Sequence, residues 1–267
     1  MSLKVTVLGC GSSGGVPRVG GDWGACDPGN PRNRRRRCSI LLTRSGDSNP
    51  GSETQLLIDT SPDMREQVLS AGVSRLDGVW YTHEHADHTH GIDELRGYFI
   101  RQRQRIPVWA DMQTGDMLRT RFAYCFSPLP GSDYPPILDL RLLTHGQTVV
   151  TSGPGGDISG TAFPVRHGNI TALGFRIGNF AYTPDINGVP AESEKWLENL
   201  DIWLVDALRP KAHPSHFSLP ETLDWIRRKK PKRAILTNMH IDFDFVTLAR
   251  ELPEYVEPAF DGMTFDI

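Results

Sequence analysis

Alternating apolar positions open the chain at Val5-Thr6-Val7-Leu8 and close it at Met263-Thr264-Phe265-Asp266-Ile267. Between them short apolar runs recur, most of them bounded by Gly, Pro, Asn or Asp, the punctuation of strands and turns. The pattern predicts strands in the first half at residues 5–8, 39–43, 55–58, 79–81 and 106–109. In the second half it predicts strands at 140–143, 160–165, 173–177, 180–183, 202–205, 234–236 and 263–267, with Gly178-Asn179 as a hairpin turn. Asp59-Thr60-Ser61-Pro62 offers a cap and a first-turn proline for a helix reaching about residue 70, which Gly72 closes. Further helices are predicted near 92–101, 114–122, 191–199, 219–229 and 243–252, and the Pro-rich stretch 127–136 reads as a surface loop or lid. Each half places strands first and strand–helix alternation afterwards. That order predicts an α/β (α+β) chain: a four-layer αββα sandwich of two mixed β-sheets with helices outside, one domain over residues 1–267. No linker, low-complexity stretch or short-period repeat divides it.

Composition narrows the function. With 267 residues the chain can bury a large core, and a net charge of −3 gives no global basic field for nucleic acid. The local exception is Arg34-Arg35-Arg36-Arg37, preceded by Arg32. Such a run is ordinarily a solvated loop, but its nearness to a Gly-rich segment leaves a phosphate-facing role open. The four cysteines, Cys10, Cys26, Cys38 and Cys125, form no Cys-x-x-Cys pair, which excludes a disulfide framework or zinc ribbon. No apolar run approaches the ~20 residues that span a bilayer, and the first strand is too short for a signal peptide. The expectation is a soluble cytoplasmic protein with no membrane partner. The sequence does not set the oligomeric state, and a homodimer is compatible with it.

Gly9 to Pro17 contains a formal G-x-G-x-x-G after a strand. A dinucleotide site would need that motif to open a helix, with an acidic residue about twenty positions on. Pro17, Gly20, Gly21 and Gly24 forbid the helix and the later stretch is arginine-rich, so the segment reads as a close-packed loop whose N–H groups could meet a phosphate.

The strongest chemical signal is Thr82-His83-Glu84-His85-Ala86-Asp87-His88, directly after a predicted strand. His83 and His85 are two apart and point the same way in extended backbone, so both can grip one metal ion. Asp87 and His88 follow after the chain turns and can grip a second. Imidazole suits zinc and other transition metals, and carboxylate suits harder ions such as manganese. A lone histidine carries little weight, but four ligand-type residues in this order are a different matter. Three later residues, His167, Asp185 and His240, each follow an apolar strand, where loops converge on a rigid scaffold. Taken singly, each could instead cap a turn, an Asx-turn or a helix.

With these residues the chain resembles the metallo-β-lactamase fold superfamily, whose signature is His-x-His-x-Asp-His. The likeness runs from Leu8-Gly9-Cys10-Gly11-Ser12-Ser13-Gly14-Gly15-Val16-Pro17 to Phe260-Asp261-Gly262-Met263. Within the superfamily it looks like the phosphoribosyl 1,2-cyclic phosphodiesterase branch of the carbon–phosphorus lyase pathway, with the tRNA 3′-processing endonucleases as relatives. The resemblance implies one metal on His83, His85 and His167, a second on Asp87, His88 and His240, and Asp185 bridging both. It also implies a functional histidine in His213-Pro214-Ser215-His216, where His216 fits best, so that Asp87 and His216 are the catalytic candidates. Two departures stand out. One cysteine, Cys26, remains where that branch holds a structural zinc, so no such zinc is predicted. The last ligand usually follows its strand as Thr-His, whereas here the chain reads Thr237-Asn238-Met239-His240. A displacement of two keeps the same face of an extended chain, so His240 can still reach, with Asn238 as the fallback.

These readings imply two divalent cations, zinc or manganese, about 3.5–4 Å apart, holding a bridging hydroxide that attacks a phosphodiester in line. His216 would protonate the leaving alkoxide or bind a phosphoryl oxygen. Asp59, Glu84 and Asp63 are candidates to orient the imidazoles, with Asp59 first because it ends a strand. His90 reads as a supporting or loop residue and His145 as structural. The expected partner is a small phosphodiester, nucleotide-like or a cyclic ribose phosphate. The alternatives are a tRNA 3′-processing-type nuclease, against which the lack of a long basic insertion counts, and a nucleotide- or metal-binding protein without turnover.

Overall fold

The protein is described from a computed structural model covering residues 3–46, 51–128, 130–131 and 133–267. The first half supplies β1 (Leu3–Gly9), β2 (Ser39–Ser45), β3 (Glu53–Ile58), β4 (Gly78–Trp80), β5 (Ile106–Ala110) and β6 (Leu138–Leu142). The second supplies β7 (Thr148–Thr151), β8 (Ile158–His167), β9 (Ile170–Ile177), β10 (Phe180–Thr183), β11 (Ile202–Asp206), β12 (Arg233–Thr237) and β13 (Val256–Pro258), and β14 (Thr264–Asp266) returns to the first sheet. The sheets run β14-β1-β2-β3-β4-β5-β6 and β13-β12-β11-β10-β9-β8-β7. Both are mixed. β1, β2 and β3 pair antiparallel and β3 to β6 parallel, while β7 to β10 pair antiparallel and β10 to β13 parallel.

The first sheet is buried on both faces, and its sequence shows how. On β2, β3 and β4, Ile40, Leu42, Leu56, Ile58 and Trp80 face inward and share a buried cluster with Phe163, Phe175 and Trp203 of the second sheet. Their neighbours Leu41, Leu57, Val79 and Tyr81 turn the other way by the strand period of two. They join a second cluster with residues of α1 (Met64–Ser70), α3 (Leu95–Gln102) and α4 (Met112–Arg121). The remaining helices are α2 (Ala86–Thr89), α5 (Ala123–Phe126), α6 (Leu219–Lys229) and α7 (Phe245–Glu251). Strands buried on both faces read as continuous apolar runs, as these do. Together the layers make the αββα sandwich that the pattern predicts.

Three expectations shift. Residues 191–199 form a 3₁₀ helix over Ala191–Leu197 that follows Pro190, not an α-helix. β7 and β13 were not predicted. β13 ends on Pro258 and lies at its sheet's edge, where a missing donor costs no ladder bond. The lid expected at 127–136 falls partly outside the described residues. Among the described residues no helix is long and apolar enough to cross a membrane, and the four cysteines are buried and unpaired.

The parallel strands place the site. Because they share a direction, their C-terminal ends share an edge, and loops leaving that edge converge. Ile58 pairs with Trp80, Thr183 with Val205 and Asp206 with Thr237, so the residues just beyond them emerge together. The Leu173 amide donates to the Thr82 carbonyl at 2.8 Å, which ties the two sheets at that seam. Gly91 closes the loop after the histidine cassette. Its amide donates to the Thr60 carbonyl at 2.9 Å, and a methyl there would collide with the Ser61 carbonyl oxygen. Gly91→Ala is therefore expected to destabilise the fold by about 1–3 kcal/mol, the usual cost of overpacking. Urea unfolding at unchanged m-value measures it, and a midpoint equal to wild type would refute the close approach.

Candidate metal centre

The cassette leaves β4 in extended backbone and then turns into α2, a single short turn with His85 at its cap. His83 and His85 thus reach the site from the extended segment, and Asp87 and His88 from the turn. Three groups of ligand atoms form, each with its atoms within 4.8 Å of one another: His83, His85 and His167; His83, His88 and Asp185; His167, Asp185 and His216. Asp185, buried, stands between them. Its Oδ1 lies 3.1 Å from His88 Nε2, and its Oδ2 lies 3.5 Å from His167 Nε2 and 3.8 Å from both His83 Nε2 and His216 Nε2. Asp87 lies 3.5 Å from His88 Nε2 at the more open side.

Hydrogen bonds behind the ligands fix which ring nitrogen faces inward. Asp59, fully buried, accepts from the Thr82 amide at 2.8 Å and the Thr82 hydroxyl at 2.7 Å, and holds His88 Nδ1 at 2.7 Å. Thr82 Oγ1 in turn lies 3.0 Å from His83 Nδ1. His167 Nδ1 donates to the Ser215 carbonyl at 2.7 Å. In these three rings Nδ1 is engaged and Nε2 faces the cluster, the arrangement of a ligating imidazole steadied from behind, whereas His85 turns Nδ1 to the cluster, 3.1 Å from His167 Nε2. Of the three carboxylates considered for this support, only Asp59 reaches the rings. Glu84 accepts from Gln113 at 2.9 Å, and Asp63 accepts from the Arg37 amide at 2.8 Å.

The electrostatics suit a cation. Burial pushes the His83 and His167 imidazoles down, so both stay neutral and keep a lone pair to offer. Burial would also lower His88, but the carboxylates of Asp185, Asp59 and Asp87 drive it well above its ordinary value. His83 Nε2 is buried without a hydrogen-bond partner. An orphaned imidazole nitrogen aimed at carboxylates is what a metal ligand looks like without its metal. The donor set, imidazole nitrogens with carboxylate oxygens, therefore fits divalent metal ions.

Two expected ligands, Asp87 and His240, belong to none of the three groups. Asp87 stays beside them, 3.5 Å from His88 Nε2, whereas His240 has other partners: Arg18 Nη2 donates to its Nε2, and its Nδ1 lies 2.8 Å from an Asp242 oxygen. The two-residue displacement would have kept its face only if the strand continued. Instead β12 ends at Thr237 and Asn238 adopts a left-handed backbone, φ 59°, which breaks the period of two. Asn238, buried, occupies the place next to the cluster, with its amide group 3.4 Å from Asp185 Oδ1 and 3.1 Å from His216 Nδ1.

Asp206, at the end of β11, went unremarked in the sequence. It pairs with His216 Nδ1 at 2.8 Å and accepts from the Ile186 amide at 3.1 Å. It carries the same signal as the others, a ligand-type residue closing an apolar strand. His90 stays outside the site, its ring edge-on to Phe122, and His145 lies exposed, 3.7 Å from Asp111. The arginine run is framework. Arg35 is buried and donates to the Phe243 carbonyl at 2.7 Å, Arg36 pairs with Asp261 at 2.9 Å and Arg37 with Asp63 at 3.0 Å, while Arg34 lies over the Trp23 ring.

An αββα sandwich with His/Asp groups at its shared strand edge defines a class of metal-site protein. The chain belongs to the β-lactamase superfamily: residues 54–241 match the model described as "Beta-lactamase superfamily domain". Its backbone is similar to that of a diphosphatase of the PhnP family, at TM-score 0.88 and 32% identity, covering 100% of this chain and 98% of that one. Zinc-bound PqqB from Methylobacterium extorquens is similar at TM-score 0.73 and 18% identity (99% and 100% covered), and human short-form tRNase Z at TM-score 0.64 and 18% identity (98% of each). Both of the latter share the fold. In sequence, an octanoyltransferase of Porphyromonas gingivalis is 30% identical over 268 residues, 98% of this chain. The chain spans about half the length of that relative, 51%.

Proposed function

We propose that the chain is a metal-dependent hydrolase that cleaves a small phosphodiester or nucleotide-like phosphate compound, with two divalent cations, zinc or manganese, held by His83, His85, His167, His88, Asp87 and Asp185. The observation that carries it is Asp185 standing between groups of inward-facing imidazole nitrogens, one of them orphaned, beside the His216–Asp206 pair. The 32% identical relative whose name is diphosphatase supports a phosphorus-centred reaction.

Two cations there would supply Lewis acidity toward a phosphoryl oxygen and lower the pKa of water to about 7. The chain's own residues do the rest. Asp59 and Thr82 fix the imidazoles. Asp185 sets the spacing of the donor groups. His216 stands within 4 Å of Asp185, at 3.8 Å, with its Nδ1 on Asp206, so its Nε2 can give a proton to a leaving alkoxide.

Steady-state hydrolysis of bis(p-nitrophenyl) phosphate tests the reading. Chelator-treated protein is expected to be inactive and to regain turnover with manganese or zinc. Metal-loaded protein that hydrolyses neither this ester nor a panel of nucleotide diesters would overturn it. A second measurement isolates Asp59. Asp59→Asn is expected to weaken metal binding about 10–100-fold, the usual loss when the partner of a ligating imidazole is removed. Competition with a chromophoric chelator reads it, and unchanged affinity would refute the orienting role.

A further inference from the structure

We propose that Asn238 completes the second cation position through its side-chain oxygen, which makes the two positions chemically unequal: zinc on the imidazole-rich side of Asp185 and manganese on the oxygen-rich side. This assignment rests on the two-cation reading above and gives each position its own ion.

The two oxygens of Asp185 divide the donors. Oδ2 faces His167 Nε2 at 3.5 Å and His83 Nε2 at 3.8 Å. His85 joins these two in one ligand group, with its Nδ1 3.1 Å from His167 Nε2. His216 adds a further ring on that side, its Nε2 3.8 Å from Oδ2. Imidazole nitrogen therefore dominates there. Oδ1 faces His88 Nε2 at 3.1 Å, and the Asp87 carboxylate stands 3.5 Å from the same nitrogen. The Asn238 amide also lies on Oδ1, at 3.4 Å. His83 shares a ligand group with His88, but its contact with Asp185 is to Oδ2. The Oδ1 side thus offers one imidazole, two carboxylates and an amide.

The backbone fixes Asn238 in this place. β12 ends one residue earlier, the Ala207 amide donates to the Thr237 carbonyl at 3.0 Å, and the Met239 amide donates to the Cys10 carbonyl at 2.9 Å. Between these anchors Asn238 is buried in the left-handed conformation, φ 59°, which Asn adopts more readily than most residues. Its partners decide which end of the amide faces inward. His216 Nδ1, 3.1 Å away, gives its proton to Asp206 and cannot accept one from Asn238. An amide nitrogen at that point sets donor against donor. With the amide turned over, Oδ1 takes the place and becomes an acceptor for His216 and a second oxygen beside Asp185 Oδ1. Two oxygens brought together with no proton between them repel unless a cation joins them.

Ligand type then sets the ion. Imidazole suits zinc, whereas carboxylate and carbonyl oxygens suit manganese. Zinc binds most such sets more tightly than manganese, and exchanging nitrogen donors for oxygen narrows that margin. A chain given one equivalent of zinc and then manganese accordingly holds one of each.

Binding measurements on the full chain test this without any turnover. Metal-free protein receives one equivalent of zinc, and the second ion is then followed, manganese by its electron paramagnetic resonance signal and zinc by competition with a chromophoric chelator. Zinc-loaded wild type is expected to bind one manganese ion. Asn238→Ala is expected to weaken that ion about tenfold or more, the lower end of the loss when even a group supporting a ligand is removed, while the first zinc keeps its Kd. Asn238→His supplies nitrogen on a residue that also tolerates the left-handed backbone. It is expected to raise the zinc-to-manganese affinity ratio of the second ion about tenfold or more. An unchanged first zinc shows that the fold survives in each variant, and Asn238→His decides alone if Asn238→Ala does not fold. The assignment is overturned by a zinc-loaded wild type that takes no manganese, by a manganese affinity unchanged in Asn238→Ala, or by a ratio unchanged in Asn238→His. A first zinc weakened as much as the second ion overturns it too, since Asn238 would then act on the whole centre. A chain that binds both ions as described but hydrolyses no phosphate ester sinks the hydrolytic reading and leaves this one standing.

Discussion

Asp185→Asn is expected to lower kcat about 10³-fold and to take bound metal from two ions per chain to one or none. The carboxylate belongs to two of the three ligand groups, as His83 and His167 also do, and is the only carboxylate in any of them, with Oδ1 toward His88 and Oδ2 toward His83, His167 and His216. Burial alone would raise its pKa, yet the surrounding histidines, His88 foremost, hold it well below the ordinary carboxylate range, so it is charged throughout the working pH. Asparagine keeps the shape and removes the charge. Breaking a buried charge pair by removing one partner costs about 3–5 kcal/mol, and about 1.4 kcal/mol is a factor of ten, so the loss spans about 10²–10⁴. Elemental analysis of the loaded variant gives the stoichiometry, steady-state kinetics the rate, and circular dichroism the control for folding. A variant that keeps two ions and turns over within tenfold of wild type would show that the cations do not depend on this residue.

How far the sequence leads to this site depends on backbone regularity. His83, His85, His167 and Asp185 come together because each sits at or a few residues beyond the end of an apolar strand, and His88 joins them from the turn of α2 that follows. The strand pattern that predicts the sandwich is therefore also the pattern that predicts the convergence. His240 fails where regularity fails. A period-two argument is sound along a strand and void one residue beyond it, and the left-handed Asn238 lies one residue beyond. Asp206 was legible by the same grammar, since Ile202-Trp203-Leu204-Val205 leads straight into it, but an acidic residue without a histidine beside it in the chain draws no notice. α2 and β7, four residues each, are too short for a period to show.

His216→Gln carries the other large effect, and its size should depend on the leaving group. His216 Nδ1 rests on Asp206 at 2.8 Å, and burial, which would lower the imidazole pKa, is outweighed by that carboxylate, which pushes it up to about 9. The group is therefore protonated at neutral pH and loses its proton only as pH rises through about 9, the order of events that an acid requires. Removing it is expected to lower kcat about 10²–10⁴-fold for a dinucleoside monophosphate, whose alkoxide must be protonated as it departs. For bis(p-nitrophenyl) phosphate the loss should be far smaller, because p-nitrophenolate leaves without a proton. The wild-type kcat/KM profile should fall on its alkaline side, and in the variant that limb should vanish, with KM little changed and metal content still two ions per chain. Equal losses for both leaving groups, together with a drop in bound metal, would instead make His216 a ligand beside His167 and Asp185, the role that its Nε2, 3.8 Å from the Asp185 carboxylate, also permits. The leaving-group comparison separates the two because a lost ligand weakens every substrate alike, whereas a lost acid weakens only those that need the proton.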